Sequence, residues 1–165
     1  MQMRSSSHSG IDGIALARAV GRLGRDGGGS TITQQLAKNM FFSFEKKYAR
    51  KVAELLVAVQ LEDKLSKEEI LELYSNIIYF GNGYYGITEA SNGYFEVGSK
   101  ELNKEQAIVL AGIPKSPNVY NPNNSNDKTF GRAESVVESM LNSGYLTKDE
   151  SVSVIRSVSY MLSLR

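Results

Sequence analysis

The sequence predicts a mainly α fold, and two observations predict it. Apolar residues recur at helical spacing from Ile11 to Lys64, and only three prolines occur in 165 residues, all of them between Ile113 and Asp127. An amphipathic helix repeats its buried face every 3.6 residues, whereas a half-buried strand alternates. A chain of this length forms one core that buries roughly 70% of its unfolded surface, so residues 1–165 are expected to make a single domain.

Ile14, Leu16, Ala17, Val20 and Leu23 mark a first helix over Ile11 to Leu23, which the glycines of "GRDGGG" end. Thr31 and Gln34 have the T-x-x-Q spacing of a capping box, so the next helix starts there and runs to about Met40. Val52, Leu55, Leu56 and Val59 define the buried stripe of a third helix, about Tyr48 to Lys64. Ser66 and Glu69 cap a fourth, which continues through Ile70, Leu73, Tyr74 and Ile77. Glycines and aromatics then interleave in "YFGNGYYGITEASNGYF", read as a loop followed by a short helix from about Ile87 to Tyr94. Asn103 with Gln106 opens a helix that ends near Gly112, ahead of "IPKSPNVYNPNNSND", which reads as extended. A helix over about Lys128 to Asn142 follows, and Thr147 with Glu150 caps the last, toward Arg165.

Composition excludes several functions. With 19 basic and 18 acidic residues the net charge is +1, so no global field draws nucleic acid. There is no cysteine and one histidine, His8, which removes disulfides, thiol nucleophiles and histidine-rich metal sites. His8 alone suits a hydrogen bond that holds its loop, with metal ligation as the alternative. No apolar run reaches the roughly 18 residues of a membrane span, and "MQMRSSSHSG" lacks the apolar core of a signal peptide.

The stretch "GGGSTITQQLAKNMFF", residues 27–42, carries the first chemical question. A glycine-rich loop entering a helix presents free N–H groups and the positive end of the helix dipole to an anion. Lys38 adds a cation. The G-x-x-x-x-G-K-[ST] spacing of a nucleotide loop is absent, and no strand is predicted before it. A well-capped helix explains much of the pattern. Two adjacent glutamines do not fit that explanation alone, because Gln34 and Gln35 point about 100° apart. Farther on, Glu54 lies about 150° from the centre of its helix's apolar stripe, so it is expected off the core face. Arg50 stands one turn before it, and a solvated i,i+4 pair is the plain reading.

The order of motifs resembles a known family. "GGSTITQQLAKN" is similar to the second signature motif of the peptidoglycan glycosyltransferases, the domain of class A penicillin-binding proteins and monofunctional transglycosylases. "RKVAE" (Arg50 to Glu54) resembles the third, "KEEILELYSNIIYFGNGYYGI" (Lys67 to Ile87) the fourth and "RAESVVESM" (Arg132 to Met140) the fifth, and "LAGIPKSPNVYNP" is also familiar. The resemblance covers about His8 to Leu146. It implies a lysozyme-like, mainly helical fold and a reaction on lipid II, in which an acceptor sugar's 4-hydroxyl displaces undecaprenyl pyrophosphate from the growing glycan. It assigns Glu54 to the carboxylate that assists the leaving pyrophosphate, with Lys38, Lys46 and Arg50 as the facing cations. Ser30, Thr31, Gln34 and Gln35 would line the cleft, and Asn76 matches the asparagine of the family's "YLN". Lys46 stands where arginine is common, which keeps charge and loses bidentate geometry. Ser75 replaces the leucine of "YLN", a polar group at an expected buried position, and Glu96 looks inserted in "YFEVGSKELN".

Partners implied are lipid II, the glycan strand, a membrane surface touched peripherally and other cell-wall synthesis proteins, with no nucleic acid. The expected place is the outer face of the bacterial cytoplasmic membrane. "FFSFEKKY" suits either lipid head groups, through Phe41, Phe42 and Phe44 beside Lys46 and Lys47, or packing within the protein. Some members use a divalent cation, Mg or Mn, for which this sequence offers no dedicated cage and no assigned metal ligand. His8 and Gly10 match the end of the first motif, roughly E-D-x-x-F-x-x-H-x-G, so the general-base glutamate's place falls on Met1, the aspartate's on Gln2 and the phenylalanine's on Ser5. Methionine accepts no proton, and a positioned base contributes about 10²- to 10⁴-fold. The expectations are an enzyme domain that begins late and is impaired as written, a non-catalytic module that binds lipid-linked glycan or docks on a synthase, or a decayed fragment.

Overall fold

The structure, a computed structural model, describes residues 31–41, 47–124 and 126–164, with side chains at all of these except 47–50. The expected helix over Ile11 to Leu23 lies outside them, as do Met1, His8, Ser30, Phe42, Phe44 and Lys46. Among the described residues there are seven α-helices: α1 (Ile32–Phe41), α2 (Lys47–Lys64), α3 (Lys67–Ile77), α4 (Ile87–Phe95), α5 (Lys104–Gly112), α6 (Asn126–Asn142) and α7 (Lys148–Ser163). Two 3-10 turns, Ser99–Glu101 and Ile113–Lys115, complete the set. The fold class is mainly α, as periodicity predicts.

By its contacts the chain divides after Tyr74 into two compact units. In the first, α1 packs on α2. Both predicted caps are formed. Thr31 N donates to Gln34 Oε1 (3.3 Å) while Gln34 N donates to Thr31 Oγ1 (3.2 Å). Ser66 N donates to Glu69 Oε2 (2.8 Å) and Glu69 N to Ser66 Oγ (3.2 Å). Each box satisfies two N–H groups that a helix start leaves without partners. Leu36 and Ala37 are fully buried on α1.

On α2 the buried face differs from the predicted stripe. Leu55 is buried, but Val52 is 59% exposed and Leu56 and Val59 are only half-buried, whereas Glu54 and Ala58 are buried. The buried face is thus rotated by about 100° from the apolar stripe. Apolar periodicity marks surface available for burial, and packing selects among it. Here the selected face carries the small Ala58 and a carboxylate with a cation beside it. On α3, Ile70 and Tyr74 are buried while Leu73 is exposed, and Ser75 is half-buried rather than buried.

In the second unit α5 packs against α4, α6 and α7, and α6 against α7. Ile108, Val109 and Leu110 are all buried, so α5 is enclosed on several faces. Ile108 and Val109 join Ala133 and Val137 of α6, Leu146, and Val154, Val158 and Leu162 of α7 in one core. The predicted caps recur: Gln106 N donates to Asn103 Oδ1 (2.9 Å) and Asn103 N to Gln106 Oε1 (3.0 Å), and Thr147 N donates to Glu150 Oε2 (2.8 Å).

The loop between α3 and α4 is a tight knot. Tyr79 and Tyr85 form a single antiparallel bridge, and their ring centroids lie 4.9 Å apart. Gly86 has φ +81°, and a Cβ there would sit 2.4 Å from the Asn76 carbonyl oxygen, so only glycine fits. The Tyr94 hydroxyl, buried, donates to Phe80 O (2.9 Å).

The segment expected to be extended is instead a string of turns. Ser116 N donates to Ile113 O (3.0 Å), Tyr120 N to Ser116 O (3.0 Å) and Asn124 N to Asn121 O (3.1 Å). Asn121 Nδ2 donates to Pro117 O (2.7 Å), and Asn124 Nδ2 to Asn118 O. Asparagine amides supply local backbone partners, which outweighs the extended bias before proline. The following helix therefore starts at Asn126, not Lys128.

Candidate active site

Helices α1 and α2 carry most of the residues that sequence reasoning assigns to the site, and both lie in the first unit. Thr31 is exposed at the mouth of α1, and Gln34 is 7% exposed with its Oε1 engaged in the cap. Gln34 therefore has a structural duty that the lining role did not include. Gln35, half-buried, accepts a hydrogen bond from the Tyr74 hydroxyl at 3.1 Å. Burial raises the Tyr74 pKa above the ordinary phenol value, which keeps that hydroxyl a donor. Lys38 is exposed.

On α2, Glu54 is 1% exposed, and Lys51 Nζ lies 2.7 Å from its Oε2. A carboxylate this far from water needs a cation and hydrogen bonds to remain charged. Lys51, with a half-exposed side chain, brings that charge from the solvent side. Sequence reasoning put Arg50 in this position, on i,i+4 spacing. The Arg50 side chain, like Ser30 and Lys46, lies outside the described part of the structure. The i,i+3 spacing of Lys51 and Glu54 was the signal that sequence reasoning passed over.

Three further residues of this unit make contacts that no motif names. Thr33, 6% exposed, donates from Oγ1 to Glu62 Oε1 at 2.7 Å, joining α1 to α2. Tyr74 is the third. Asn76 belongs to the second unit; its side chain is exposed, and Gly86 closely approaches its carbonyl. Among the described residues no three histidines, aspartates or glutamates gather as a metal cage.

The transglycosylase family profile matches residues 3–141. The chain belongs to that family. It is 45% identical over 142 residues to penicillin-binding protein 2a of Streptococcus pneumoniae, covering 84% of this chain and 19% of the relative. It is 43% identical over 153 residues to penicillin-binding protein 1F of Bacillus subtilis, covering 90% and 21%. The solved structure of penicillin-binding protein 1A from Haemophilus influenzae superposes with a TM-score of 0.51 at 25% identity, over 76% of this chain and 16% of that one. The chain thus spans about a fifth of the length of the curated relatives it matches.

The transglycosylase motifs now have places in the fold, which is mainly helical and of the lysozyme-like class. The second motif runs into the capped start of α1, the third lies in α2, and the fourth runs from α3 through the glycine-aromatic knot. The fifth opens on Arg132 of α6, whose Nε donates to the Gly112 carbonyl at 3.2 Å. A guanidinium at the end of α5 meets the negative end of that helix, so this transglycosylase motif begins with a residue that holds two helices together.

Proposed function

We propose that the chain is a peptidoglycan glycosyltransferase domain that takes lipid II as substrate and extends a glycan strand at the outer face of the bacterial cytoplasmic membrane. In the reaction the acceptor's 4-hydroxyl oxygen bonds to the donor's anomeric carbon, and the bond from that carbon to the pyrophosphate oxygen breaks. The hydroxyl proton passes to a base, and undecaprenyl pyrophosphate leaves with the electron pair. Negative charge grows on the leaving oxygen, so fixed cations aimed there lower the barrier.

The observation that carries this reading is the buried Glu54 with Lys51 against it, 2.7 Å apart. An ammonium has three N–H donors, enough to serve Glu54 and an anionic oxygen together. Glu54 is then the group that fixes Lys51 in place, and Lys38 is the cation supplied by α1. Thr31 and Gln35 supply polar contacts to sugar or phosphate. Ser30, Lys46 and Arg50 take their roles from their motifs, and the role of Asn76 rests on its motif alone. Exposed Ile32, Met40 and Phe41 on α1 support contact with a membrane surface. A Mg or Mn ion, when bound, would offset charge on the pyrophosphate, and other cell-wall synthesis proteins would be partners.

Binding tests this reading without requiring turnover. Lipid II in detergent micelles is titrated into the chain and its Lys51→Ala and Glu54→Gln variants. A charge-assisted contact contributes about 1.5 to 3 kcal/mol, so Lys51→Ala is expected to weaken binding roughly 10- to 100-fold. Glu54→Gln, which loosens Lys51 without removing it, is expected to weaken it less. Equal affinity in all three proteins would remove the pair from the site.

A further inference from the structure

We infer that the Thr33–Glu62 hydrogen bond is a positioning device that sets the register of α1 against α2, and so the spacing between the α1 and α2 groups of the proposed site; its effect on ligand binding rests on the lipid II reading above. Thr33 sits in the first turn of α1, where a threonine hydroxyl ordinarily bonds its own helix. Here it reaches 29 residues away to Glu62 Oε1, at 2.7 Å. An O–H donor on a carboxylate at that length is a charge-assisted bond, stronger and more directional than a neutral one.

A directional bond adds to this interface what apolar contact does not supply. The buried side chains nearest Thr33 on α1 include Leu36 and Ala37, both 0% exposed, and apolar contact does not by itself fix how far one helix slides along another. Glu62 lies two turns beyond Glu54 on α2, and Lys38 lies five residues beyond Thr33 on α1. One tie therefore fixes the distance from the α1 groups, Gln34 and Lys38, to the α2 group, Glu54. Displacement of about 1 Å is enough to cost a reaction on the order of 100-fold. Thr33 and Glu62 are positioning residues: they act through the groups they align.

The chain contains no cysteine, so spin labels at Asn39→Cys and Gln60→Cys, both exposed positions on α1 and α2, report the spacing directly. The label distance should be the same in the parent, Thr33→Ser and Glu62→Gln, which keep a donor and an acceptor. It should shift or broaden by about 1 to 2 Å in Thr33→Val and Glu62→Ala. Lipid II affinity should fall about tenfold in those two and no further in the double variant. Glu62 is exposed, so Glu62→Ala leaves the interior intact and decides the matter should Thr33→Val fail to fold. An unchanged label distance in Glu62→Ala, or additive losses in the double variant, overturns the inference. Label distances that move in a chain that does not bind lipid II would uphold the register role and overturn the substrate reading instead.

Discussion

Tyr74 joins α3 to α1 by one hydrogen bond to Gln35, and its burial raises its pKa. The folded pKa lies above the unfolded value near 10, so the folded state holds its proton longer. The resulting stability is complete below about pH 10 and is lost as pH rises through that value toward the folded pKa. Tyr74→Phe should cost about 0.5 to 1.5 kcal/mol in urea unfolding at pH 8. Its deficit against the parent should shrink by pH 11, and a deficit that stays constant would show that the phenol's proton is not the linked group. Glu96 offers a prediction of opposite sign. It closes α4 in the left-handed region, φ +57°, with its N–H donating to Asn92 O at 2.9 Å. That backbone costs a residue with a Cβ about 1 to 2 kcal/mol, so Glu96→Gly is expected to raise the midpoint of thermal unfolding. At Gly86 the same logic runs in reverse, because Gly86→Ala adds a Cβ at φ +81° and against the Asn76 carbonyl. Loss of cooperative unfolding, or a drop of several degrees in the midpoint, is the expected outcome.

At the scale of the element, the helix starts were legible and the buried faces less so. All four boxes, Thr31 with Gln34, Ser66 with Glu69, Asn103 with Gln106 and Thr147 with Glu150, are formed, because capping is a contest settled within four residues. Hydrogen bonds from Ser66 and Thr147 hold the Glu69 and Glu150 pKa values below the usual carboxylate range. A depressed folded pKa means that this contribution is present above pH 4.5 and lost as pH falls through the folded value. Circular dichroism of the parent should show helix loss on acidification that Thr147→Ala, already without its cap, shows to a smaller extent. The face of α2 was not legible in the same way. Val52 fits the apolar stripe and is exposed, whereas Glu54 lies off it and is buried, because tertiary packing and the nearby Lys51 decide that face. Turns after Ile113 were misread for a related reason: proline bias is local, but the amides of Asn121 and Asn124 reach past it.

The whole chain shows how far motif order carries. Four ordered motifs identify the family, and residues 3–141 match it. Glu54, Lys38 and Gln34 were legible as candidates because their motifs name them. Thr33, Glu62 and Tyr74 were not, since their hydrogen bonds join residues far apart in the chain and leave no spacing to read. The measurement that bears most directly on the central claim is the affinity of this chain for lipid II in detergent micelles, parent against Lys38→Ala. Lys38 is exposed on α1, so the substitution leaves the interior untouched. Saturable binding by the parent, weakened roughly 10- to 100-fold in Lys38→Ala, is the predicted result; a parent that does not bind lipid II, or a variant that binds it equally well, would contradict the account.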